Sequence, residues 1–264
     1  MSQIAAAGSG VALYERMGER TTQPFAVQIL DSLGPIDGAT VIDIAAGSGG
    51  LAVAAAERGA YVTATDINPA MVARAEERLR PFERCSARIE DFRALTSADA
   101  IFDVAISIFG VLAYASWRQG LAEMARVTRR GGQIVLAMWT HREDCSPAHV
   151  MRGAFNALFP DREPWPPDMF PVFSEGMLED SVRNAGLVEV ETHIATANWR
   201  PISSANVVGE CDPMFKNFPG YAALDMSDAE ALRASLGNAF QKYAGTDGTI
   251  RVPTKAFVVR GWKP

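Results

Sequence analysis

The run Val41-Ile42-Asp43-Ile44-Ala45-Ala46-Gly47-Ser48-Gly49-Gly50 decides the fold: β-branched apolar residues reach an acid, break into a small-residue turn and pass into the Ala-rich segment Leu51 to Glu57. A buried parallel strand that ends in a tight turn and opens a helix leaves backbone N–H groups uncovered. Such an edge suits a nucleotide-like ligand. The stretch therefore predicts an open α/β sheet with its binding site at the strand ends.

Outward from that turn, strand and helix alternate with short connections as far as Trp139, the pattern of crossover units on a parallel sheet. Gly59 stops the helix that begins at Leu51, and Tyr61 to Thr65 forms a second strand ending at Asp66. Asn68 is placed as an N-cap and Pro69 as the first helical residue, with Met71, Val72, Ala75 and Leu79 as an inward stripe. Cys85 to Ile89 and Phe102 to Phe109 read as strands three and four. A helix from Trp117 to Arg130, capped by Gly131-Gly132, leads to a fifth strand from Gln133 to Trp139. Before the first strand, a leader helix runs to about Leu33.

Beyond Trp139 the rhythm fails. Residues 141–173 interleave six prolines with Phe155, Phe159, Trp165, Met169 and Phe170, a composition too aromatic for a flexible tether. A helix from Ser174 to Ala185, a sixth strand from Val188 to Thr196 and a seventh from Lys255 to Trp262 follow, with a second irregular insertion over 203–248 holding a helix around Ala229 to Tyr243. The expected organisation is one domain over 1–264: a helical cover at 1–35, a cofactor-binding core at 36–140, and lid-like, substrate-covering insertions at 141–173 and 203–248.

Composition narrows the function classes. A chain of 264 residues with 48% apolar content can bury a substantial core. A net charge of -6 without clustered Lys and Arg excludes nucleic acid as a natural partner. The three cysteines, Cys85, Cys145 and Cys211, match neither a disulfide framework nor a metal-ligand spacing, so a reducing, cytoplasmic setting is expected and no metal. No basic leader precedes an apolar stretch in Met1 to Gly10, and no window approaches a membrane span. The expected partner is a small molecule; a homodimer is compatible with these features.

The acid at position 43 separates two cofactor classes. A dinucleotide lays its pyrophosphate on the glycine turn, and a carboxylate beside it is unfavourable; a cationic ligand reverses the sign. Here the chain resembles the class I S-adenosylmethionine-dependent methyltransferases, in order along the sequence: Asp43 to Gly49 for their acid and glycine motif, Asp66 ending strand two, Glu90-Asp91-Phe92 after strand three, Phe102-Asp103-Val104 opening strand four, and Arg126 to Gly132 before strand five. Phe109-Gly110-Val111-Leu112 and Ala137-Met138-Trp139 look like the small-molecule branch related to ubiquinone and menaquinone biosynthesis. The resemblance implies a doubly wound seven-stranded sheet of order 3-2-1-4-5-7-6, and S-adenosyl-L-methionine as cofactor with S-adenosyl-L-homocysteine as product.

By that resemblance Asp66 takes the ribose hydroxyls and Asp91, or Glu90 in its place, takes the adenine amino group. Phe92 or Ile67 sandwiches the adenine, either being equally readable as core, with Met71 nearby. The turn of Ala45, Ala46, Gly47, Ser48 and Gly49 receives the methionine portion. Ala45 stands where the family usually has glycine, which demands a negative φ or costs roughly 1 kcal/mol. Ser107 offers its carbonyl to the ammonium, Phe109 lies behind it, and Tyr14 closes over the cofactor. Methyl transfer is an in-line displacement that needs no base; if one acts, His141, following strand five, is the candidate. Trp139, Trp165, Met169, Phe170, Phe173, Met214, Phe215 and Phe218 form the expected acceptor pocket, walls that suit a hydrophobic or aromatic metabolite. Two rivals remain open: a cyclisation or other non-methylating reaction on the same cofactor, and a non-catalytic binding protein.

Overall fold

The computed structural model describes residues 10–141 and 145–264. The reading of Met1 to Gly10 falls outside them except at Gly10, as do positions 142–144 of the first insertion. The chain divides into two compact units, one made of Met1–Met138, Phe170–Ala195 and Phe257–Pro264, the other of Trp139–Met169 and Thr196–Ala256.

The first unit is organised by the sheet. Strands β1 (Thr40–Ile44), β2 (Tyr61–Asp66), β3 (Ser86–Ile89), β4 (Phe102–Ile108), β5 (Thr128–Trp139), β6 (Val188–Trp199) and β7 (Val252–Trp262) stand in the order β3-β2-β1-β4-β5-β7-β6. That is the expected order. Pairing from β3 to β5 is parallel, with Asp43 in register with Ala64 on one side and Ile106 on the other. Ile42, Ile44, Val62, Ala105 and Ile106 are fully buried, as the continuous apolar runs require of strands covered on both faces.

Helix α1 (Arg20–Ser32) buries Phe25, Ala26, Ile29 and Leu30 and is entered through a π-helical turn, Glu15–Glu19. Pro24 lies inside this helix and supplies no N–H. The Thr21 hydroxyl donates to the Met17 carbonyl at 2.6 Å and Thr22 to Gly18 at 3.3 Å, serving carbonyls of the widened turn. Helix α2 (Gly50–Ala56) opens after Gly49, and α3 (Pro69–Leu79) has Asn68 accepting the Ala70 N–H at 2.9 Å, the expected cap.

Helix α4 (Trp117–Val127) ends three residues before the expected Arg130, and Gly131-Gly132 is not its cap. β5 begins at once, at Thr128, with an irregularity in its pairing to β4 between Phe102 and Val104. Gly131 N–H donates to the Lys263 carbonyl at 2.8 Å and Lys263 N–H to Gly132 at 2.9 Å. The glycines are needed for that turn of the strand: Gly131 has φ +72°, and a Cβ on Gly132 would lie 2.7 Å from the Asp103 carbonyl.

The second unit holds helices beside the end of β6 and the start of β7. The first insertion, expected to be irregular, contains α5 (Pro147–Leu158), capped by Ser146, which accepts the His149 N–H. In the first unit α6 (Glu175–Asn184) follows the Ser174 cap as expected. Helices α7 (Val207–Phe215), α8 (Pro219–Ala222) and α9 (Met226–Gln241) complete the second unit, with α9 packed on α5 and α7 around Phe155, Phe215, Leu236 and Phe240. No helix of the described residues is long and apolar enough to cross a membrane.

Candidate cofactor site

β1 delivers Asp43 to a fully enclosed position, 1% exposed. Its carboxylate accepts the Ala52 N–H, while Oδ2 has no hydrogen-bond partner among the described residues. Burial, then the charges of Asp66 and Glu19, push its pKa from 3.8 up to about 7. The turn that follows is held by Ala46 N–H on the Thr65 carbonyl at 2.8 Å and Gly49 N–H on Ala46 at 3.0 Å. Ala45 adopts φ +59°, so the negative φ expected of an alanine there is not found, and the residue carries a left-handed strain of about 1 kcal/mol. Its Cβ is accommodated because position 110 is glycine: a Cβ there would lie 2.6 Å from that of Ala45.

Tyr14 lies against the turn. A Cβ on Gly47 would meet the tyrosine hydroxyl at 2.6 Å, and one on Gly49 would meet Ala75 of α3 at 2.9 Å, so the two glycines serve different neighbours. Burial and the nearby acids Glu19, Asp66 and Asp43 push the Tyr14 phenol well above its usual range. The leader is pinned by charge. Ser48 Oγ donates to Glu19 at 2.5 Å, Arg78 holds Glu19 at 2.7 Å and the Ser48 carbonyl at 3.0 Å, and Arg74 holds Glu15 at 2.7 Å. Sequence reasoning missed Glu19, Arg78 and Gln23, which donates to the Gly50 carbonyl at 3.3 Å. The available signal was the matched i, i+4 spacing of Glu15 and Glu19 with Arg74 and Arg78.

Beside the turn opens a cleft of about 250 Å³ lined by Ala45, Asp66, Ile67, Asp91, Phe92 and Tyr114, together with Glu90, Arg93 and Ser116. Ile67 is 64% exposed into solvent, and Phe92 and Tyr114 set their rings 5.7 Å apart. Asp66 accepts Gly47 N–H on Oδ2 at 2.8 Å and Asn68 N–H on Oδ1 at 2.9 Å, which fixes its plane and leaves a second acceptor direction on each oxygen. Asp91 is gripped by Arg93, Nη2 at 2.5 Å and Nε at 2.9 Å, and that guanidinium with the Arg93 N–H holds its carboxyl below the usual carboxylate range. Glu90, 7% exposed, takes the Thr96 hydroxyl at 2.6 Å and N–H at 3.1 Å and so braces its own loop.

Met71 is half-buried in α3 and is not part of the cleft lining. Ser107 Oγ donates to the Ile44 carbonyl at 2.7 Å and accepts Val111 N–H at 3.0 Å, tying the ends of β1 and β4 together. Phe109, at φ +56°, packs edge-on to Phe25 at 5.5 Å. In the same unit Phe173 is core, edge-on to Trp117 at 5.4 Å, and Phe170 N–H donates to Ala113.

In the second unit Phe215 is fully buried and Trp165 stacks obliquely on Phe218 at 5.0 Å. Trp139 and Met169 belong to this unit, as does Met214 of α7. His141 is half-buried rather than an exposed loop residue, with Nδ1 3.2 Å from His149 Nε2. Burial and the guanidinium of Arg152 lower its pKa to about 4. No three His, Cys, Asp or Glu side chains among the described residues gather as a metal-ligand group.

A family described as "Methyltransferase domain" matches residues 41–132, from the first strand to the glycine pair. The demethylmenaquinone methyltransferase of Beutenbergia cavernae is 31% identical over 181 residues, 68% of this chain and 73% of that one. The chain belongs to the class I S-adenosylmethionine-dependent methyltransferases. An uncharacterised protein of Mycobacterium tuberculosis is 34% identical over 128 residues, 48% of this chain and 47% of its own; the chain spans about half the length of these first curated relatives. Among solved structures, the YcgJ protein of Bacillus subtilis superposes with a TM-score of 0.61 at 17% identity, covering 90% of this chain and 97% of that one, which shows the shared fold.

The residues present fit the family's cofactor. Its methionine moiety carries an ammonium and a sulfonium and no phosphate, and the turn presents a buried, unpartnered carboxylate oxygen on Asp43 beside glycines that leave the backbone bare. A cation is what that oxygen lacks.

Proposed function

We propose that this methyltransferase-family chain moves a methyl group from S-adenosylmethionine to a small hydrophobic or aromatic metabolite. The observation that carries the reading is the orphaned Oδ2 of Asp43, buried beside the glycine turn, which favours a cationic ligand over a dinucleotide. The name of the Beutenbergia relative favours a ring-hydroxylated or quinol-like acceptor.

The cofactor, when bound, supplies a methyl group already activated by the sulfonium. The chain's own work is placement. Asp66, its plane fixed by Gly47 and Asn68, would take the ribose hydroxyls with its remaining acceptor directions; Ile67 and Phe92 would flank the adenine. Asp43 and the turn backbone would hold the amino-acid end, with Tyr14 as cover and the Glu19–Arg78–Ser48 contacts fixing that cover. Much of the rate then comes from keeping donor and acceptor aligned in a dry space.

The test is incubation with methyl-labelled S-adenosylmethionine and a panel of hydroxyarenes and naphthoquinols. Label in the product supports the reading; turnover without label supports a cyclisation or other non-methylating reaction. Calorimetry with S-adenosylhomocysteine separates both from a binding protein that has lost the cofactor, which would show no heat at millimolar ligand.

A further inference from the structure

The second unit contains a line of three side chains that the placement of the cofactor does not use. Ser146 Oγ lies 2.8 Å from His149 Nδ1, and His149 Nε2 lies 3.2 Å from His141 Nδ1. The far nitrogen, His141 Nε2, is buried and has no partner among the described residues. Ser146 is 2% and His149 3% exposed. Around them stand Trp165, 5.9 Å from the His149 ring, and Arg152, whose guanidinium donates to the His141 carbonyl at 2.8 Å.

Proton bookkeeping decides which way the line points. Ser146 Oγ already accepts the His149 N–H as the cap of α5, at 3.4 Å, so its own proton must find an acceptor. Within reach, that acceptor is His149 Nδ1. Both rings are neutral near pH 7: burial and Arg152 lower His149 to about 2 and His141 to about 4. A neutral imidazole carries one proton. His149 therefore bears it on Nε2 and donates to His141 Nδ1, which leaves the His141 proton on Nε2. The opposite direction would strand the Ser146 hydroxyl proton as well as His141 Nε2, two buried orphans instead of one, at a cost of about 1–3 kcal/mol for the extra group.

We infer that Ser146 and His149 are positioning residues that lock His141 as the Nε2–H tautomer, so that the second unit presents a hydrogen-bond donor, and not a base, to an oxygen-bearing ligand. His141 also holds φ +57°, a left-handed backbone that its carbonyl bond to Arg152 secures, so the ring is aimed at the expense of local strain. A neutral N–H donates to an oxygen lone pair and takes no proton from it.

Long-range ¹⁵N–¹H spectra of the labelled full-length chain at neutral pH read the tautomer directly. A pyrrole-type Nε2 and pyridine-type Nδ1 on both His141 and His149 are expected. His149→Phe should release His141 into a mixture, His149→Gln, whose amide N–H replaces the donor, should restore the Nε2–H form, and Ser146→Ala should loosen His149. With 1-naphthol as probe on the full chain, binding should weaken about tenfold in His149→Phe and recover in His149→Gln. An Nδ1–H form of His141 in the unmodified protein, or a tautomer that His149→Phe leaves unchanged, overturns the inference. So does naphthol binding that is indifferent to both variants. If S-adenosylhomocysteine fails to bind while the tautomers are as expected, the proposed function falls and the relay stands.

Discussion

Asp43→Asn tests the cofactor turn most sharply, because one substitution should raise stability and lower affinity together. The Asp43 carboxyl is raised from 3.8 in a solvated chain to about 7 in the fold, chiefly by burial. Between those values the folded state holds a proton that the unfolded state has released, so the contribution is complete below pH 4 and is lost as pH rises through 7. Three units at 1.36 kcal/mol each bound the loss at about 4 kcal/mol by pH 8. Asparagine cannot ionise and should escape it. Urea denaturation of the two proteins from pH 5 to 9 should show their stability difference growing in favour of Asn by about 3 kcal/mol, nearly all of it below pH 7.5. Saturating S-adenosylhomocysteine should reverse the order at pH 8, since its ammonium offsets the buried charge only in the unmodified protein. A stability difference that stays flat across pH would refute the claim that this carboxylate sits in the fold without a counter-charge.

Three other substitutions follow from the same geometry. Asp66→Ala removes the acceptor for Gly47 N–H and the one proposed for the ribose hydroxyls; calorimetry should show S-adenosylhomocysteine affinity lower by about 1.5–3 kcal/mol, and unchanged affinity removes Asp66 from the site. Arg93→Ala frees the Asp91 carboxylate, the expected partner of an adenine amino group; affinity should hold within about threefold or improve, as befits a solvent-facing ion pair, whereas a tenfold loss would make Arg93 itself a ligand contact. Ala45→Gly relieves the left-handed alanine at φ +59° and should add about 0.5–1 kcal/mol to the urea-derived stability after the entropy cost of glycine; a loss would mean that the Ala45 methyl earns its place by packing on Gly110.

The strand order was legible because a parallel sheet writes itself in continuous apolar runs, each followed by a small-residue turn or an acid: Val41 to Asp43, Tyr61 to Asp66, Phe102 to Ile108. Glycine was the less dependable marker. Gly131-Gly132 reads as a helix cap by local rules, yet the space beside the Asp103 carbonyl and the pairing of Lys263 with both residues place it in a strand. Those partners lie 28 and more residues away in sequence, so no window could show them. Proline misled in the opposite direction. Ser146-Pro147 is a sound helix start, N-cap followed by a first-turn proline, and the stripe Val150, Met151, Ala154, Phe155 continues it, but the density of prolines after Pro160 made the whole segment read as irregular.

At the site, the residues legible in sequence are those whose backbone position does the work, and the ones missed act through side chains from elsewhere in the chain. Asp43, Gly47 and Asp66 are fixed by strand ends, so their spacing predicts their place. Asp91 and Glu90 show the limit of that logic: both line the cleft, but Arg93 and Thr96, each only a few residues on, claim their carboxylates. A carboxylate at the right position is a binding group only to the extent that its lone pairs are uncommitted. By that measure Asp43 Oδ2, with no partner among the described residues, outranks every other acid of the turn, and Asp66, whose two backbone bonds orient rather than saturate it, comes next. The same measure applied to donors singles out His141 Nε2 in the second unit. Unspent hydrogen-bonding capacity in a buried place costs folding energy, and at the glycine turn that cost is what the proposed cationic cofactor would offset.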